Sequence, residues 1–158
     1  MTQEKKQAYT LKISQANQTQ LTTITYEIVI DYLDEAMDQL SVGKKEEAEK
    51  NLLYAQNCID QLITSINLSV ELGRTLHQIY IFSKKELMAA GVTHSLHRIW
   101  RVKKNFKLLH EAYKELEKAD NSLPIMGNTQ KVYAGLTYGR HSLNEDISSI
   151  SMNRGLMA

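Results

Sequence analysis

Residues 18–40 read QTQLTTITYEIVIDYLDEAMDQL, and the reading of this stretch decides the fold. Leu21, Ile24, Ile28, Tyr32, Ala36 and Leu40 recur at steps of three and four, the period of one helix face. Tyr26, Val29, Ile30, Leu33 and Met37 widen the apolar surface until one polar stripe remains. Such a helix is either the central element of its own domain or lines, in part, a groove that receives another helix. The remaining stripe is acidic. Glu27, Asp31, Asp34 and Asp38 share it, and no Lys or Arg occurs from Gln18 to Leu40.

The same period continues outward. After Val42-Gly43, Ala48, Leu52, Ala55, Ile59, Leu62 and Ile66 mark a bundle seam on a helix over about 44–66. Asn67–Ser69 reads as a break with Ser69 as a cap. A third helix is expected over 70–90, with Leu72, Leu76, Ile79, Leu87 and Ala90 inward and Gly91 as its stop. Thr93 reads as the cap of a fourth over 94–119, whose seam is Ile99, Val102, Phe106, Leu109, Tyr113 and Leu116. Long helices joined by short links pack antiparallel. The expected fold is therefore all-α, an antiparallel four-helix up-and-down bundle over 1–120, opened by a polar N-terminal segment of 17 residues.

Helix breakers are distributed unevenly. The only proline is Pro124, and four of the seven glycines follow it. Residues 121–158 are read as a long, mostly irregular C-terminal tail that packs on or extends the bundle. Its Val132, Tyr133, Leu136 and Tyr138 are expected to lie on the bundle's apolar surface, as a cover for a groove.

A chain of 158 residues buries roughly 70% of its unfolded surface and needs no disulfide or metal to stand. Cys58 is the sole cysteine, which suits a reducing compartment, and no apolar run marks a leader or a span. A cytoplasmic protein without membrane insertion is expected. With 19 basic and 18 acidic residues, the whole chain has no pull toward nucleic acid. No Gly-rich phosphate loop or GxSxG elbow occurs, and Cys58 reads as a small core side chain. His94 and His97 are three apart, yet no HExxH pattern supplies further ligands, and they read as solvated histidines. No enzyme activity, cofactor or metal is expected.

One charged feature stands out. Arg98, Arg101, Lys103, Lys104 and Lys107 surround Trp100, with no acid between His94 and His110. The patch reads as a nucleic-acid face, as a solvated face opposite the acidic stripe, or as a protein-docking face built on Arg98, Trp100, Arg101 and Lys104.

The segment QLTTITYEIVIDYLDEAM resembles the ELxxMLYDGAL-type first helix of the flagellar secretion chaperone family, FliS. AQN at 55–57, SIN at 65–67, LHQIYIF at 76–82 and LHEAYKEL at 109–116 resemble its later helices, in order, over roughly residues 9–118. The family's glycine after the Tyr–acid pair is Ile28 here, and the usual preceding proline is missing. The resemblance implies a four-helix chaperone that wraps the disordered C-terminal segment of flagellin in apolar grooves. It further implies prevention of premature polymerisation and delivery to a component of the flagellar export gate. Coupled folding costs such a client ~2–5 kcal/mol, which keeps the grip reversible. It places client contacts at Leu21, Ile24 and Tyr26, with Tyr9 and Ile13 resembling the family's mobile cap. The alternative to a chaperone is a helical adaptor or regulator that engages another protein through the basic face of the fourth helix.

Overall fold

The computed structural model describes residues 1–126; residues 127–158, with Val132, Tyr133, Leu136 and Tyr138, lie outside the described part. The described residues are all-α. Five helices follow in order: α1 Gln3–Ser14, α2 Gln18–Ser41, α3 Lys45–Ser65, α4 Glu71–Thr93 and α5 Leu96–Ala119. Met1–Ile125 form one compact unit.

The expected polar N-terminal segment is itself a helix. Thr2 caps it by accepting from the Lys5 amide, Glu4 lies in its first turn and Lys12 in its last. α1 buries no residue, so it shows no apolar period by which the sequence would announce it. A capping box between Asn17 and Gln20 then starts α2.

One expected stop and two expected caps moved. α4 runs through Gly91 to Thr93 and ends where His94 adopts φ 51, its amide bonded to the Ala90 carbonyl at 2.8 Å. Thr93 does not cap α5, because its hydroxyl donates to the Ala89 carbonyl one turn back at 2.8 Å. Ser69 does not cap α4 either; its hydroxyl bonds Asn67 Oδ1 at 2.6 Å, and Val70 holds the cap position. The α3–α4 link folds tightly over Gly73, where an added Cβ would stand 1.9 Å from the Asn67 carbonyl oxygen.

The core sits between α2, α3, α4 and α5. Tyr26, Val29, Leu33 and Ala36 of α2 meet Leu52, Ala55 and Ile59 of α3, Tyr80 and Leu87 of α4, and Ile99, Val102 and Phe106 of α5. The inward seam of α2 is thus rotated from the expected one: Ile28 and Tyr32 are only half-buried. A helix with apolar residues around most of its girth gives no internal reason to prefer either stripe; packing against α3 and α5 chooses. Facing residues run in opposite senses along each neighbouring pair. Glu27–His110 and Asp34–Lys103 join α2 to α5. Tyr32–Tyr54 and Gln39–Asn51 join α2 to α3, and Asp60–Lys84 and Glu49–His94 join α3 to α4. Tyr80–Phe106 and Glu86–Arg98 join α4 to α5. α2 also packs against α1.

Candidate client-binding surface

Tyr26 lies at the centre of the molecule and not on a surface. Its ring packs edge-on against Phe106 at 5.6 Å and Tyr113 at 5.2 Å, and its hydroxyl bonds the Tyr80 hydroxyl. Burial pushes the Tyr26 hydroxyl far above its ordinary pKa and takes that of Tyr80 up to about 12, so both stay neutral. Ile24 is buried as well, outside the main core cluster, whereas Leu21 is half-exposed. Of the three α2 residues expected to touch a client, only Leu21 is reachable in this conformation.

The acidic stripe of α2 is the seam on which α1 lies. Asp31 accepts from the Tyr9 hydroxyl at 2.6 Å and pairs with Lys5 at 2.8 Å. Glu27 pairs with Lys12 at 2.9 Å. From the other side α5 brings His110 within 3.1 Å and Lys114 within 3.7 Å of Glu27, and Lys103 onto Asp34. Burial raises the Glu27 pKa, but bonds from Lys12 and His110 and the charges of Lys12 and Lys114 outweigh it, and the carboxyl ends below its ordinary value. Burial and the Asp31 carboxylate together hold the Tyr9 hydroxyl protonated. Tyr9 and Ile13 are both half-buried. The sequence reading missed Lys5 and Lys12; lysines in a short segment ahead of a lysine-free acidic stripe were the available signal.

The α1–α2 joint is tied from an unexpected direction. Ala16 and Asn17 are buried there, and the chain leaving α5 crosses them. The Ile125 amide donates to the Ala16 carbonyl at 3.0 Å, Asn17 Nδ2 to the Ser122 carbonyl at 3.3 Å, and the Thr19 hydroxyl to Asp120. Close by, a cleft of about 240 Å³ opens at the end where α2 and α4 begin, lined by Thr22, Leu62, Ile66, Leu72, Leu76 and Tyr113 among others. Leu68, Val70 and Leu72 stand exposed at its rim or beside it. Thr19, Ser65 and Asn67 add polar groups to these apolar walls.

The basic patch divides. Arg98 turns to Glu86 of α4 at 2.9 Å, and Arg101 reaches the same carboxylate at 3.5 Å while lying 5.5 Å over the Phe82 ring. Trp100 points outward, with His97 stacked at 6.0 Å and Lys104 5.5 Å over its ring. His94 pairs instead with Glu49, so the two histidines serve different neighbours. Among the described residues no group of three metal-ligating side chains converges. Cys58 is partly buried, and burial pushes its thiol up to about 11, which leaves it protonated and a poor nucleophile at neutral pH. No helix of the described residues is long and apolar enough to cross a membrane.

The described residues thus form an all-α unit with a polar-held outer helix, a mixed cleft and apolar side chains exposed beside it. The chain belongs to the FliS family: the family model described as "Flagellar protein FliS" matches residues 1–120. Membership makes it a flagellar protein with, in general terms, a chaperone's role. No curated protein matches the chain.

Proposed function

We propose that the chain is a flagellin export chaperone acting in the cytoplasm. In this reading α2–α5 form an antiparallel four-helix up-and-down bundle that receives the disordered C-terminal segment of flagellin in apolar surface grooves. The observation that supports it most is the chemistry of α1. This helix lies along α2 without burying a residue of its own, held by Tyr9, Lys5 and Lys12. Exposed ion pairs contribute roughly 0–1 kcal/mol each, so a client helix that offers apolar area displaces α1 at small cost. Leu21 and the cleft beside Leu72 then become contact points for the client. Masking flagellin's terminal segment prevents polymerisation before secretion, and the complex is passed to a component of the export gate.

Calorimetric titration with a C-terminal flagellin peptide tests the reading. Saturable binding with negative enthalpy and negative heat-capacity change is expected, weakened about tenfold or more by Leu21→Asp. Ile24 and Tyr26 are unsuitable probes, because a carboxylate at either would break the fold. The chain truncated after Met126, which keeps residues 120–125 on the α1–α2 joint, is titrated alongside the full chain. Absence of heat with both the full chain and the truncated form would refute the flagellin assignment.

A further inference from the structure

We infer that the outer face of α5, centred on Trp100, is a second protein-docking surface, separate from the proposed flagellin groove, and that its occupant is an acidic helical segment with apolar anchors. Trp100 is the only tryptophan of the chain and stands 47% exposed. Leu96 and Leu108 are exposed on the same side of α5, which is turned away from its buried residues Ile99, Val102 and Phe106. Helical spacing brings Leu96, Trp100, Lys104 and Leu108 into one stripe, with Lys107 beside it. An indole with two leucines in water is an anchor site without an anchor.

The charge at this stripe selects the partner. Elsewhere on α5 the surface lysines find acids on their own helix, as in Lys114–Glu117 at 3.4 Å and Lys118–Glu115 at 2.8 Å. Arg98 and Arg101 are drawn to Glu86, and Lys103 to Asp34. Lys104 and Lys107 have no carboxylate partner among the described residues; Lys104 rests only on the indole face. The stretch from His94 to His110 contains no acid that could neutralise them. What the face lacks is therefore carboxylate next to apolar side chains. A polynucleotide fits less well. Its affinity comes from many cations spread along a phosphate backbone, and here two unpaired lysines sit on a protein of net charge +1. Complementary charge would also speed the encounter and set the direction in which a helix lies down.

The test needs no flagellin, so its result stands apart from the chaperone reading. A synthetic amphipathic helix, glutamates on one face and leucine and phenylalanine on the other, is titrated into the full chain while Trp100 fluorescence is followed. A saturable blue shift is expected as the indole leaves water. The double variant Lys104→Glu, Lys107→Glu and the glutamine version of the peptide should each bind about tenfold more weakly. Both lysines are exposed, and unchanged circular dichroism verifies the variant's fold. An unmoved tryptophan spectrum overturns the inference. So does equal binding of the glutamine peptide, or tighter binding of a single-stranded oligodeoxynucleotide than of the acidic peptide.

Discussion

α3 and α1 both lie along α2. α3 brings Ala48, Leu52, Ala55, Ile59 and Leu62, none more than 6% exposed, into a dry core. α1 brings a tyrosine hydroxyl and two lysines to an acidic stripe and buries no residue fully. Burial is worth roughly 25 cal/mol per Å² and does not depend on direction, whereas exposed ion pairs nearly break even against water. α2 thus has an apolar side packed closely by α3 and a polar side closed more loosely by α1. In the proposed function the scaffold stays folded while α1 leaves.

The comparison breaks most visibly in the core. Phe106→Ala removes a ring that packs on both Tyr26 and Tyr80 and should cost about 3–5 kcal/mol, read as a lower midpoint in chemical denaturation. A loss under about 1 kcal/mol would mean that α5 is not integral to the core. Tyr80→Phe keeps the ring and deletes one end of the Tyr26–Tyr80 hydrogen bond, with an expected loss of about 1 kcal/mol. Asp31→Asn should leave the midpoint within about 1 kcal/mol and yet speed amide exchange throughout α1, because Asp31 receives both Tyr9 and Lys5. Exchange that quickens equally in α1 and α3 would show that the two sides are not independent.

Acid sharpens the same contrast. Glu27 ionises more readily in the folded chain than its ordinary value of 4.5. Its contribution is therefore present above that value and is lost as pH falls through the lower folded one. Protonation releases Lys12 of α1 and Lys114 and His110 of α5 together. Protection of α1 amides should fall across that window while those of α3 hold.

Four long helices were legible because each hides a face from water, and hiding leaves a period of three and four in the residues. α1 was not, since a helix held mainly by polar contacts, with no fully buried side chain, needs no such period. The basic patch was visible as composition, but its division was not. What separates Arg98 and Arg101 from Lys104 and Lys107 in the fold is the carboxylate that stands across from the arginines, and Glu86 lies on another helix. Tyr26 shows the same limit at the candidate site. A motif position on an apolar helix was readable, and its direction was not.

The sequence by itself determined an all-α chain, the approximate extent of α2 to α5 and membership of a flagellar family, because helix period, breakers and ordered motifs are local properties. Only the tertiary structure decided which stripe of α2 faces inward, that Lys5, Tyr9 and Lys12 close over its acids, and that residues 120–125 tie the α1–α2 joint. Those choices depend on pairs of groups about 15 to 110 residues apart, whose mutual distance no local pattern encodes.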